Sequence, residues 1–406
     1  MSRLPGWNQA RSRWVNFLLW TSSMRGIMTW GRWLPGLVRR LARPPLTDFR
    51  QIRRVVLLRY DGMGDMVLTS GMLRELRRLL PQAEITLICR TPWASWMRTC
   101  PWVDRVVDIE LKYPWRFYQQ RRLAALLAFA RREIWPRDPE LLLQPGTLYW
   151  YFESRALAWF TGVPTRLCWE DPDWGVDTGG RFHTRVLPLA QSLHETEKCF
   201  RMLEAIGLAP TGRKLDTWWT EADAKQAQAV ATLARGSRRH LVMLGVACSE
   251  TPRMWPQERF LELAQEVARQ FPDVAFLAMG GADMVPLGNW LAAQAPGLIH
   301  NACGQLGLGA VWALTAACDL YVGNDTGIMH MAAAAKVPVV EICGVPVTAR
   351  PGTRGDPRHT GPYDTVNRVV YPPPETSADT PVNASLVPCA PVIAATLELL
   401  SGSAIP

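Results

Sequence analysis

A strand, a glycine-bounded turn and a helix start follow one another between Cys318 and Ala335, and this succession restricts the chain to few folds. Cys318 to Val322 is an apolar run, and it ends in Gly323-Asn324-Asp325-Thr326-Gly327-Ile328-Met329-His330. Met329, Ala332 and Ala333 then recur at helical spacing, which predicts a helix starting near Thr326. Such a turn makes an anion site. The first N–H groups of the helix have no intrahelical acceptor, and the positive end of the helix dipole points the same way. Thr326 suits an N-cap or a bond to a phosphate oxygen, and His330 lies one turn on, on the face that looks back at the ligand. Taken alone, the stretch equally fits an ordinary strand-to-helix turn capped by Asp325 or Thr326.

A second stretch of the same design lies near the front. Val55 to Arg59 reads as a strand, Asp61-Gly62-Met63-Gly64-Asp65 as a turn, and the residues through Leu80 as a helix with an apolar and an Arg-bearing face. Asp65 on its own also suits the N-cap of that helix. A dinucleotide-binding reading fails, because the third glycine and a ribose-binding acid are missing. Strands follow at Ile85–Cys89, Val103–Ile109 and Pro139–Gln144, alternating with helices at 92–98, 123–132 and 154–160. The same alternation resumes after Pro210–Lys214, with strands at Leu241–Val246, Val274–Met279, His300–Cys303 and Val337–Cys343. It predicts parallel sheets covered on both faces. With 406 residues and 48% hydrophobic content there is room for two cores.

These two turns and their spacing resemble glycosyltransferase family 9, the lipopolysaccharide heptosyltransferases, over about Arg53 to Leu400. The resemblance implies an α/β chain of two Rossmann-like doubly wound domains facing across a cleft, the GT-B fold. Residues 51–212 would form the acceptor-side domain and 213–406 the nucleotide-sugar-binding domain. It also implies Asp65 as general base in a metal-independent, inverting transfer. An Asp of ordinary pKa is a weak base, so burial or closure of the cleft would have to raise it. Ala247–Pro256 occupies the place of a family Lys-x-Trp-Pro segment, with Arg253 where the lysine stands. Either cation neutralises a diphosphate, Arg through a planar fork and Lys as a point charge. Asp283, in the turn Gly280-Gly281-Ala282-Asp283, falls where the family holds an acid on the nucleotide ribose, more often Glu. After Gly344 the chain leaves the family pattern, with Val345-Pro346-Val347-Thr348 and a longer loop to Tyr363.

The implied activity moves a heptose or related sugar from an ADP-sugar to a lipopolysaccharide core or other glycolipid, with no cofactor and no metal. Arg253, Asp283, Asp325, Thr326, Gly327 and His330 would form the donor site, with Gly62, Gly64 and Gly323 as turn glycines. Asp325 is expected to orient the turn or to meet sugar hydroxyls, since like charges repel at a phosphate. Two other classes fit the same architecture: a nucleotide-sugar epimerase, and a non-catalytic protein that binds nucleic acid or lipid.

Charge bears on the partner. Residues 1–215 carry 33 Lys and Arg against 19 Asp and Glu, and residues 216–406 carry 12 against 17. A basic front half suits an anionic partner. No nucleic-acid-binding motif accompanies it, which favours an anionic glycolipid over nucleic acid. Residues 1–50 hold nine Arg, five Trp and one acid, Asp48, a composition for the membrane surface. An extension packed on the domain, or an organelle-targeting segment, has the same composition. The apolar run Trp14–Trp20 is too short to span a bilayer, and no signal peptide is expected. Asp171-Pro172-Asp173 reads as a solvated loop rather than a metal motif. The nine scattered cysteines read as reduced core residues. The expected protein is monomeric and works at the cytoplasmic face of the inner membrane.

Overall fold

Val55 to Leu58 lose nearly all exposure because the strand they form is covered on both faces, as a continuous apolar run in a parallel sheet requires. The computed structural model describes residues 37–38, 40–49, 51–110, 119–146, 152–170, 182–188, 193–351, 353 and 355–402. The first sheet comprises β1 (Arg54–Leu58), β2 (Glu84–Arg90), β3 (Arg105–Ile109), β4 (Leu141–Gln144), β5 (Thr165–Trp169) and β6 (Arg185–Leu187). Its helices are α1 (Met63–Leu68), α2 (Ser70–Leu79), α3 (Thr91–Met97), α4 (Gln119–Phe129), α5 (Phe152–Phe160) and α6 (Glu195–Glu204). The second sheet comprises β7 (His240–Gly245), β8 (Val274–Met279), β9 (Ile299–Asn301), β10 (Leu320–Asn324), β11 (Val339–Ile342) and β12 (Asn367–Val370). With it go α7 (Glu221–Arg235), α8 (Gln257–Gln270), α9 (Val285–Gln294), α10 (Leu308–Ala316), α11 (Gly327–Ala334), α12 (Pro357–Thr360) and α13 (Cys389–Leu400).

Both sheets are parallel throughout and follow one winding order. The first runs β3-β2-β1-β4-β5-β6 and the second β12-β11-β10-β7-β8-β9. The winding reverses between β1 and β4, and again between β7 and β10. A crevice opens at such a reversal beyond the carboxyl ends of the strands. The residues after β1, β7 and β10 are those that the sequence singles out.

Three short strands went unread in the sequence. β5 holds Arg166 in its interior, where the buried guanidinium donates to the carbonyls of Val163 and Phe182. β6 has only three residues, and β12 opens with Asn367 and Arg368. The predicted helix 123–132 begins earlier, at Gln119, and passes into a π turn at Ala130–Ile134.

The two halves share apolar packing. Trp218, in the extended segment before α7, stacks on Trp96 of α3 at 5.3 Å and meets Trp312 of α10 at 4.8 Å. Arg40 and Arg43, near the end of the basic leading segment, both pair with Asp138 at 2.5 and 2.8 Å. Most of that segment, and the Asp171–Asp173 loop, lie outside the described residues. Among the described residues no helix is long and apolar enough to cross a membrane. All nine cysteines are unpaired.

Candidate active site

Gly62 is the N-cap of α1, and Asp65 occupies the third helical position rather than the cap itself. From there one oxygen, Oδ2, accepts the Gly62 N–H at 2.9 Å. The other, Oδ1, accepts from Arg59 Nη2 at 3.2 Å. The carboxylate is thus held on both sides while 33% of the side chain stays exposed. Burial raises its pKa, and the charges of Glu195 and Asp325 add to the rise, while Arg59 and the Gly62 N–H oppose it.

The opposing turn is built around Asn324, which is fully buried at the end of β10. Its Oδ1 accepts the Trp255 N–H at 2.9 Å, and its Nδ2 donates to Val246 O at 3.1 Å. Asn324 therefore ties the loop after β7 to the end of β10. Gly323 sits in the same strand against Gly245, where a Cβ would strike backbone. Thr326 caps α11, its hydroxyl accepting the Ile328 N–H at 3.2 Å. The helix starts where the residue pattern placed it.

Arg253 ends a short 3-10 turn, Thr251–Arg253, and its guanidinium pairs with the Asp325 carboxylate. It also reaches Asp325 O at 3.4 Å. Asp325 thus aims the arginine, and the cation compensates its charge. His330 is buried, with Nε2 4.0 Å from Asp325 Oδ1 and Nδ1 without a hydrogen-bond partner. Burial pushes its pKa down to about 4, so the imidazole is neutral near pH 7.

The two turns meet. α1 packs against α11 with Gly64 facing Gly327, and a Cβ on Gly327 would stand 3.0 Å from the Gly64 nitrogen. Side chains at either position would hold the halves apart. Asp283 is different. It lies exposed in the Ala282–Met284 turn after β8, and no hydrogen bond or ion pair joins it to Arg253 or to the Asp325–His330 turn.

Several residues at the site escaped the sequence reading. Arg59 has no exposed surface and lies 3.2 Å from Asp61 Oδ2 and 4.0 Å from Glu195 Oε2. His194 caps α6 through Nδ1, which accepts the Thr196 N–H, and its Nε2 bonds Gly361 O at 3.1 Å. Tyr363 donates to Glu197, so the loop after β11 reaches across to α6. A cation closing an apolar strand was the available signal for Arg59. No local pattern marks Glu195 or His194. Among the described residues no group of three or more His, Cys, Asp or Glu is placed to hold a metal ion.

Two Rossmann-like domains whose strand ends face across a cleft define the GT-B class of glycosyltransferase. Residues 149–373 match the family described as glycosyltransferase family 9 (heptosyltransferase), and the chain belongs to that family. The matched stretch contains Arg253, Asp283 and the Asp325–His330 turn, while the Gly62–Asp65 turn precedes it. The chain is 23% identical to lipopolysaccharide heptosyltransferase 2 of Escherichia coli (strain K12) over 301 residues, 72% of this chain and 82% of the relative. Its fold matches the glycosyltransferase family 9 structure from Veillonella parvula DSM 2008 with a TM-score of 0.71 at 21% identity, covering 89% of this chain and 100% of that one. It matches the E. coli ADP-heptose lps heptosyltransferase II with a TM-score of 0.64 at 19% identity, covering 87% and 100%.

Proposed function

We propose that this glycosyltransferase transfers a heptose from ADP-heptose to a lipopolysaccharide-core acceptor, with inversion at the anomeric carbon and without a metal ion. The observation that carries it is the meeting of the Gly64-Asp65 turn with the Gly327–His330 turn, with Arg253 beside the latter. Residues 51–212 hold the acceptor and residues 213–406 the donor. The ADP-heptose named for one structural relative supplies the donor class.

In the proposed step Asp65 takes the proton of the acceptor hydroxyl. The oxygen attacks the anomeric carbon from the face opposite the diphosphate. The bond to the diphosphate oxygen breaks, and the negative charge passes to ADP. Arg253 and the N–H groups that open α11 meet that charge where it develops. Thr326 and Gly327 hold the diphosphate at the helix start. Neutral His330 fills the space under Gly64 and offers a hydrogen bond without adding charge. Asp283, exposed at the end of β8, binds the ribose. Contact between α1 and α11 keeps water from the reacting atoms. The basic first half and the Arg/Trp-rich leading segment draw the enzyme to an anionic glycolipid at the cytoplasmic membrane face, and it acts as a monomer.

Thermal stabilisation by ADP, ADP-heptose and the UDP and GDP sugars tests the donor. A ligand at about 100 times its Kd adds roughly 2.7 kcal/mol. A shift with the adenine compounds that weakens in Arg253→Ala is expected. A shift with UDP or GDP compounds alone would overturn the donor assignment. Asp65→Asn should keep the ADP shift and lose transfer by about 10²- to 10⁴-fold, the usual share of a general base.

A further inference from the structure

Asp65 shares its arginine. The Arg59 guanidinium, with no exposed surface, has Asp61 Oδ2 at 3.2 Å from Nε, Asp65 Oδ1 at 3.2 Å from Nη2, and Glu195 Oε2 at 4.0 Å from Nη2. Lys198, also buried, pairs with Glu195 at 2.6 Å. Among the described residues three carboxylates therefore face two buried cations. Asp65 is hydrogen-bonded at both oxygens. Asp61 is not: its Oδ2 is buried and has no hydrogen-bond donor. The backbone around it is fixed, since Trp93 Nε1 donates to Asp61 O at 3.1 Å. Gly146 closes over the pair, and a Cβ there would lie 2.5 Å from Arg59 Nη1.

We propose that Asp61 is a positioning residue for Asp65, setting its basicity by competing with it for the one guanidinium of Arg59. The proposal rests on Asp65 being the base. When Asp61 carries a proton, Arg59 is left to Asp65 and the more distant Glu195, and Asp65 holds a proton weakly. When Asp61 is ionised, the guanidinium charge is divided and Asp65 binds a proton more tightly. Among the described residues the other groups facing this pair are few. Arg90 approaches from the end of β2, over the rings of Tyr60 and Trp93, and opposes the rise at Asp61. Cys199 of α6 adjoins Arg59, and its thiol is pushed up to about 11 by burial, so it stays neutral. Asp325 faces Asp65 from the second domain. Burial, with Asp65 and Glu195 adding and Arg59 and Arg90 opposing, pushes Asp61 up to about 7. The exchange between the two states thus falls near neutral pH.

The test compares the pH dependence of kcat/KM for wild type, Asp61→Asn and Asp65→Asn, using ADP-heptose and a heptose-free lipopolysaccharide core in detergent. Asp61→Asn imitates the protonated carboxyl. Its acidic limb is expected at least about one pH unit below that of wild type, with a plateau lowered roughly threefold, as Brønsted behaviour requires of a weaker base. Asp65→Asn separates the two ideas. If it stays active, the base assignment fails and this proposal fails with it. If it is inactive while Asp61→Asn keeps the wild-type profile, only the role of Asp61 is overturned. Circular dichroism establishes folding, and Asp61→Ser serves as a second variant with the same expected shift. Titration of the full-length wild type labelled with 13C at aspartate carboxyls needs neither variant nor substrate. An aspartate titrating between about pH 6 and 8 is expected, far above the ordinary value near 3.9. The absence of one would overturn the proposal.

Discussion

Gly64 of the first domain lies so close to His330 of the second that a Cβ on Gly64 would stand 2.5 Å from the imidazole Cδ2. Both partners are fixed: Gly64 by the start of α1, His330 by burial within α11. Gly64→Ala must therefore spread the contact between the domains or tilt the imidazole. Overpacking of this kind costs about 1–3 kcal/mol of stability. The larger effect is expected in catalysis, because Asp65 adjoins Gly64, and a displacement near 1 Å can cost about 10²-fold in rate. Steady-state kinetics and thermal denaturation check this. A variant of unchanged kcat would show that the contact has no part in transfer.

Arg253 and Asp325 should act as a unit. Arg253→Ala leaves Asp325 as a buried, unpaired charge beside the proposed diphosphate position, and Asp325→Ala leaves the guanidinium unaimed. Truncating one partner of a buried charge pair costs about 2–5 kcal/mol, much of it the penalty on the charge left behind. The double variant removes both charges, so its loss of ADP affinity is expected to fall short of the sum of the single losses. Calorimetric Kd values for the three variants measure the difference. Simple additivity would sink the idea that Asp325 works through the arginine.

What the sequence disclosed follows from which contacts are local. The Gly62–Asp65 and Gly323–His330 turns lie within a few residues of the strands and helices they join, so their glycines, caps and charges are adjacent in the chain. Arg253 came from the resemblance instead, as the cation standing where the family's Lys-x-Trp-Pro segment holds its lysine. Arg59, Asp61, Glu195 and His194 are different. Their meaning comes from β1 and α6 being brought together from 136 residues apart in the Arg59–Glu195 pair, and no local pattern encodes that. Asn324 stood inside a quoted turn, yet its bonds run to the loop after β7, some 69 residues earlier. Asp283 shows the converse. Its place in the turn after β8 was legible, but its lack of contact with the Arg253–Asp325 pair required the folded arrangement.

Glu341 offers a test of a buried acid. It sits in β11 with no exposed surface, and neither carboxyl oxygen has a hydrogen-bond partner. Burial raises its pKa well above the ordinary value, with Asp325 and Asp356 adding and Arg253 opposing. The folded protein therefore keeps the group protonated where the unfolded chain ionises it. Its stability contribution is present below the unfolded pKa of about 4.5 and is lost as pH rises toward the folded value. At pH 7 Glu341→Met removes the unsatisfied oxygens at similar length and should stabilise by about 1–3 kcal/mol. Urea denaturation measures it, and a marked loss of stability would mean that the carboxyl has a partner.

His330 titrates with the opposite sign. Its folded pKa lies near 4 against an ordinary 6.5, and burial is the main cause, with Arg253 adding and Asp325 opposing. Between those values the unfolded chain binds the proton and the folded protein does not. Stability conferred by the neutral imidazole is therefore full above about pH 6.5 and falls as pH drops toward 4. The slope is about 1.4 kcal/mol per pH unit for one such group. Over the whole interval the loss is roughly 3 kcal/mol. Asp61, raised to about 7, works against this slope, because it binds its proton in the folded state first. His194, lowered to about 4 by burial, works with it. His330→Asn isolates one contribution: its stability should fall less steeply than that of wild type between pH 6.5 and 4, by about one proton's worth. Urea midpoints at half-unit steps of pH decide the matter. Parallel curves would show that His330 is protonated in the folded protein, and the buried site would then hold a cation beside Arg253 when no donor is bound.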